Sequence, residues 1–213
     1  MTPKEELIIK FNRIILIQGF STFSMVELAK MADISRAKLY LYFKNKDEIV
    51  AAVVKRHLDF IQKNPIPKTA EDENLLTTIL NSLLLIGSTS ELFENELKQK
   101  YPQLYQDFHH GYDNYFKNLK TYYQNAQTNK LIIDNISAGF LIFQNRINIH
   151  GILDSVQDNQ ITLEKGEKYL REYFIYQTHS LLVNPNVVAS DDVKKFQKTI
   201  ITEYYGTYSM FDH

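Results

Sequence analysis

Apolar residues recur along most of this chain at steps of three and four, and no stretch alternates with period two. Such spacing places the apolar residues on one face of a helix, so the pattern predicts an all-α fold. The first predicted helix is well punctuated. Thr2-Pro3-Lys4-Glu5 reads as a capping box with Pro at the first helical position. Leu7, Ile8, Phe11, Ile14 and Ile15 follow at helical spacing, and Gly19 ends the run. Asn45 with Glu48 opens a further helix through about Ile61, which Asn64-Pro65-Ile66-Pro67 breaks. Beyond it the spacing predicts helices over about 71–87, 90–100, 103–126, 134–154, 162–183 and 190–205. With only five Pro and seven Gly, long helices are admissible, and 44% hydrophobic residues suffice for a globular core.

Residues 24–46 carry the most information. Ser24 caps a short helix and Glu27 closes its capping box; Leu28, Ala29, Met31 and Ala32 supply the apolar side. Asp33 falls where the chain must turn, and Asp tolerates left-handed geometry better than most residues other than Gly. Ser35 caps a second helix that carries Arg36, Lys38, Tyr40 and Tyr42, with Leu39 and Phe43 as apolar anchors. Short helix, turn, short polar helix is the helix-turn-helix layout, whose second helix fits the major groove of DNA. The charge agrees. Residues 1–50 hold 8 basic and 6 acidic side chains, whereas the remainder holds 16 and 19. Positive charge is therefore concentrated on one element, as phosphate attraction requires.

Residues 7–56 resemble the N-terminal DNA-binding domain of TetR-family transcriptional regulators. The resemblance rests on Gly19-Phe20, Ser24-Met25-Val26-Glu27-Leu28-Ala29, Ile34-Ser35, Leu39-Tyr40, Tyr42-Phe43 and Lys46-Asp47-Glu48-Ile49. Asp33 stands where Gly or Asn is frequent in that family, and Ala37-Lys38 where Gly-Thr is frequent; the latter bears on which operator is read. The resemblance implies a three-helix helix-turn-helix DNA-binding domain followed by a larger antiparallel helical-bundle domain, here residues 1–50 and 51–213. It also implies that Tyr40, Tyr42 and Lys46 contact phosphate while Arg36, Ala37 and Lys38 face base edges. Ser24, Ser35 and Lys44 complete the candidate DNA-binding set.

In the second part Tyr101, Tyr105, Phe108, Tyr112, Tyr115, Leu119 and Tyr122 recur at alternating steps of four and three, along one helix face. A buried core face is the plainer reading. A wall rich in Tyr also suits a pocket for an apolar or aromatic small molecule, because each buried hydroxyl wants a partner. The resemblance implies an inducer site inside this helical domain. The candidate ligand set is Tyr105, Phe108, His109, Tyr112, Tyr115 and Phe143. His109 and His110 point about 100° apart on a helix, so they do not readily ligate one metal. Asp113 stands where it could orient the His109 imidazole. Neither a metal nor a cofactor is expected.

The segments 134–154 and 162–183 are apolar over a wider arc than one buried face needs. The resemblance supplies the second partner, because in that family the last two long helices pair with those of another copy. The candidate dimer residues are Ile147, Leu170, Tyr173, Phe174 and Leu181. A homodimer also suits a pseudo-palindromic double-stranded operator, which presents two half-sites.

Three functions compete. The first is a homodimeric repressor released from its operator by a small apolar or aromatic ligand. The second is a DNA-binding regulator without an inducer, and the third a helical ligand-binding or enzymatic protein that no longer binds DNA. Arg36, Lys38, Lys44 and Lys46 argue against the third. No phosphate loop, nucleophile elbow or His-Glu-x-x-His pair is present, so an enzyme is not expected. Charges lie within the apolar pattern of the first twenty residues, which argues against a secretory leader. No apolar run approaches a membrane span, and cysteine is absent. A cytoplasmic protein is expected.

Overall fold

The computed structural model describes residues 2–184 and 191–208. In chain order its helices are α1 (Pro3–Gln18), α2 (Met25–Met31), α3 (Arg36–Tyr42), α4 (Lys46–Lys63), α5 (Asp72–Ile86), α6 (Glu91–Lys100), α7 (Pro102–Thr128), α8 (Ala138–Gln157), α9 (Leu163–Leu181) and α10 (Asp191–Tyr208). The helices form two compact units that do not follow chain order. Unit 1 joins residues 1–63 to residues 89–112; unit 2 joins residues 64–88 to the chain from Asp113 onward. The expected boundary near residue 51 divides the chain differently. In the structure α4 lies wholly in unit 1, and α6 with the first part of α7 returns to pack there.

Local chemistry sets the helix ends. The capping boxes at Thr2 and Ser24 form in full, and Ser35, Ser90, Ser137 and Thr162 each cap a following helix through the side-chain oxygen. Asn45 accepts from the Glu48 amide at 3.0 Å and starts α4. The expected helix over 134–154 starts later, at Ala138. After α7 the backbone turns through Lys130 at φ 59, and Ile132 pairs with Leu182 in an isolated antiparallel bridge. That pairing also halts α9, with the Ile133 amide donating to the Leu181 carbonyl at 3.0 Å.

The core of unit 1 is aromatic. Phe11 and Phe43 meet edge to face at 5.9 Å, as do Phe20 and Phe93 at 6.4 Å and Phe93 and Phe108 at 5.5 Å. All five rings are buried. Through this core runs one polar chain. His57 Nε2 meets Asn12 Oδ1 at 2.8 Å, and His57 Nδ1 meets the Tyr112 hydroxyl at 3.0 Å. An amide oxygen only accepts, so Nε2 carries the proton and Tyr112 donates to Nδ1. Three helices, α1, α4 and α7, are thereby tied by one neutral imidazole. At Gly111 an added Cβ would lie 2.6 Å from Leu58 Cδ2, so a glycine lets α7 approach α4 closely.

Unit 2 packs α5, the remainder of α7, α8, α9 and α10 around Leu75, Ile79, Leu119, Tyr122, Tyr123, Leu141, Leu170, Tyr173, Phe174, Leu181 and Tyr204, all buried. The Tyr204 hydroxyl donates to the Leu163 carbonyl at 2.8 Å, tying α10 to the start of α9.

Candidate nucleic-acid interface

The helix-turn-helix geometry begins with a turn of fixed shape. Asp33 takes the left-handed conformation at φ 54, just past α2. Its amide donates to the Lys30 carbonyl and that of Ile34 to the Ala29 carbonyl, both at 3.0 Å. These two bonds form a Schellman motif, in which the residue expected at the turn does the work usually done by Gly. Lys10 adds a bond from α1 to the Ala32 carbonyl at 3.1 Å. Ser35 Oγ then accepts from the Lys38 amide at 3.1 Å and starts α3.

Leu39 buries one side of α3, so the opposite side is presented outward: Arg36, Ala37, Lys38, Tyr40 and Leu41 are exposed. The Arg36 guanidinium lies over the Tyr40 ring at 5.5 Å, one turn on. Tyr42 is half-buried and Lys44 exposed. Ser24 is exposed as the N-cap of α2. These residues of the expected set all belong to unit 1.

Lys46 differs from the expectation. Its ammonium donates to the carbonyls of Phe20, Ser21 and Phe23 at 3.0, 3.1 and 3.0 Å. An ammonium has three donors, and all are engaged inside the protein. The same loop is held from its other side by Glu96 of α6, whose carboxylate accepts from the Phe20 and Ser21 amides at 2.6 and 3.0 Å. Gly19 has φ 70, and a Cβ there would lie 2.7 Å from that carboxylate. Glycine is thus required both for the backbone and for the approach of Glu96. Tyr101 adds a bond to Asp47 at 2.6 Å. The role of Glu96 was not legible in the sequence, because a lone Glu on a charged helix carries no spacing signal toward a loop 75 residues away.

This grip makes a prediction. Lys46→Met leaves three carbonyls without their charged partner, so the DNA-free protein is expected to lose ~1.5–3 kcal/mol of stability. Chemical denaturation measures it. Unchanged stability, with a salt dependence of DNA binding flatter by about one unit of slope, would instead mark Lys46 as a phosphate contact.

The remaining expected site residues are divided between the units. Tyr105, Phe108, His109 and Tyr112 belong to unit 1, Tyr115 and Phe143 to unit 2. Phe108 and Tyr112 are core residues packed on His57. His109 is exposed beside Tyr105, with ring centres 5.4 Å apart. Phe143 is 57% exposed on α8 and lines no interior. Among the expected dimer residues Ile147 is exposed, whereas Leu170, Tyr173, Phe174 and Leu181 are buried within their own unit. The wide apolar arc of α9 is largely used up inside unit 2. What it leaves outward is Tyr169, Ile175 and Tyr176, with Val183 just beyond the helix; α8 leaves Phe140, Phe143 and Ile147.

Two capped helices about a left-handed turn, the second with an exposed basic and aromatic face, define a helix-turn-helix module. Residues 13–53 match the model of the family described as bacterial regulatory proteins, tetR family. An uncharacterized HTH-type transcriptional regulator of Haemophilus influenzae is 39% identical over 46 residues, 22% of this chain and 25% of that protein. The chain thus aligns with about a quarter of the length of that curated relative. In fold, the chain is similar to a TetR-family transcriptional regulator of Marinobacter aquaeolei VT8. The TM-score is 0.58 at 12% identity, covering 96% of this chain and 99% of that one. A TetR transcriptional regulator of Chloroflexus aurantiacus J-10-FL gives 0.53 at 12% identity, covering 85% and 96%. Residues 13–53 thus carry the N-terminal module described for the tetR family, and the whole chain has the fold of such regulators. No single helix among the described residues is long and apolar enough to cross a membrane.

Proposed function

We propose that this protein is a homodimeric, cytoplasmic repressor that grips a pseudo-palindromic operator through two copies of α3 and is released by a small apolar or aromatic ligand. The observation that carries the DNA reading is the exposed row Arg36, Ala37, Lys38 and Tyr40 on a helix fixed by Leu39 and the Ser35 cap. Arg and Lys side chains at the start of such a helix reach guanine edges, and Tyr40 and Tyr42 reach phosphate. A second copy seated on the outward apolar row of α8 and α9 would present two such helices to two half-sites.

Selection of bound sequences from a random duplex pool tests this reading. The parent is expected to enrich an inverted repeat. Lys38→Ala is expected to relax preference at one position of each half-site by ~1–3 kcal/mol and leave the others intact. A parent that enriches nothing, or a Lys38 variant with the parent's full preference, contradicts it.

Release would be a population shift. A ligand binding one conformation better draws the protein toward it, and coupling of ~1–3 kcal/mol changes operator affinity by roughly 5- to 150-fold. Linkage is reciprocal, so operator DNA weakens the ligand by the same factor.

A further inference from the structure

Helix α3 carries an apolar side chain where it meets water most fully. Leu41 is 80% exposed, and no large apolar side chain among the described residues is more so. A single exposed Leu is ordinary on a protein surface. The place of this one on its helix is not.

Successive residues of an α-helix are turned by about 100°. Leu39 is buried and marks the inward direction of α3. Ala37 and Leu41, two residues to either side, both stand at about 160° from it. They form the midline of the outward face, one turn apart. Lys38 and Tyr40 stand at about 100° from Leu39 on opposite flanks, with Tyr42 beside Lys38 and Arg36 beside Tyr40. The Arg36 guanidinium keeps to its own flank, 5.5 Å from the centre of the Tyr40 ring. Ala37 ends at its Cβ, so Leu41 stands proud between the flanks. The outward face of α3 is thus an apolar midline bordered by basic and aromatic side chains.

A helix lying in the major groove turns its midline to the base edges on the groove floor and its flanks to the phosphate walls. Arg36 and Lys38 are long enough to reach the floor from the flanks. That floor offers hydrogen-bonding groups at every base pair but a single kind of apolar group, the C5 methyl of thymine. A Leu side chain neither donates nor accepts, so against any other base edge it leaves polar groups dehydrated and unpaired. Against thymine it removes two apolar surfaces from water. We infer that Leu41 is a specificity-determining residue that reads the C5 methyl of a thymine in each operator half-site. The inference rests on the proposed operator binding through α3 and adds a base to it.

Replacing thymine by uracil removes this methyl and leaves every hydrogen-bonding group of the base in place. In a duplex selected from the random pool by the full chain, each thymine and its symmetry mate are replaced in turn by deoxyuridine. Affinities are measured by fluorescence anisotropy. One replacement should weaken the parent by about fourfold per half-site, roughly fifteenfold for the symmetric pair, the effect of losing one buried methyl-sized group. Leu41→Ala should bind the thymine duplex more weakly and lose no further affinity on that same replacement, because the two changes remove one contact. Its melting temperature should match the parent's, since Leu41 is exposed and Ala is a good helix former. Lys38→Ala should keep the parent's ratio of thymine to uracil affinity. A parent indifferent to every replacement, or a Leu41→Ala variant that keeps the parent's ratio, overturns the inference. So does uniform weakening of all duplexes by Leu41→Ala with the ratio intact, which marks a contact to the sugar-phosphate backbone. An enriched inverted repeat without methyl sensitivity leaves operator binding standing and removes this role of Leu41. A parent that enriches no sequence removes both.

Discussion

A protein carrying Phe143→Asp and Tyr176→Asp is expected to sediment as a monomer at micromolar concentration and to lose operator affinity on the order of a thousandfold or more. Both side chains lie outward, 57% and 60% exposed, on α8 and α9. In a lone subunit each carboxylate would stay in water, so the variant should keep the parent's helix content. Against a second copy the same carboxylates would be buried without partners, which costs several kcal/mol each. Operator affinity falls because one helix-turn-helix unit holds only one half-site. Phe174→Asp is the control. Phe174 is buried within unit 2, so a charge there should unfold the subunit rather than separate it from its partner. Sedimentation velocity with circular dichroism distinguishes the two. A double variant that remains dimeric would move the interface elsewhere.

His57 should make the protein acid-sensitive. Burial chiefly, with the neighbouring Arg56 adding to it, lowers its pKa from 6.5 to about 3. The unfolded chain therefore binds a proton below about pH 6.5 that the folded chain refuses until about pH 3. Between these values the unfolded state holds more protons, so stability rises with pH. The contribution is complete above pH 6.5 and is lost on acidification at about 1.4 kcal/mol per pH unit. From pH 6.5 to 4.5 His57 alone should cost roughly 3 kcal/mol by that slope. His57→Gln retains a polar side chain between Asn12 and Tyr112 but no titrating group. Urea denaturation at the two pH values should then show a smaller acid loss in the variant by about that amount. Equal losses would mean that His57 becomes protonated without unfolding.

The helix-turn-helix and the capping pattern were legible because their causes are local. Ser24 with Glu27, Asp33 at the turn, Ser35 with Lys38 and Asn45 with Glu48 act across three or four residues, and each took the geometry its side-chain chemistry favours. Helical spacing likewise located ten helices among the described residues, though α8 starts only at Ala138, after the Ile132 bridge and the Ser137 cap. Exposed positions on α3 followed from Leu39 alone, since a helix that buries one face must present the other.

Other features depended on residues far apart in the chain. The His57 chain joins side chains separated by 45 and 55 positions, and the Glu96 grip spans 76. Periodicity showed that α9 is apolar on a wide arc, but not that Leu170, Tyr173, Phe174 and Leu181 would be buried inside unit 2 while Tyr176 faced outward. The aromatic row of α7 was visible as a row, yet nothing in it shows that Phe108 and Tyr112 serve one unit and Tyr115 the other. Nor does composition distinguish a Lys46 aimed at phosphate from one that holds three carbonyls of its own chain. Backbone preference and capping are short-range energies, and the chain carries them at each position. Which face meets which helix, and which donors find acceptors, is decided only when distant segments are brought together, because burial and hydrogen bonding depend on the neighbours that packing supplies.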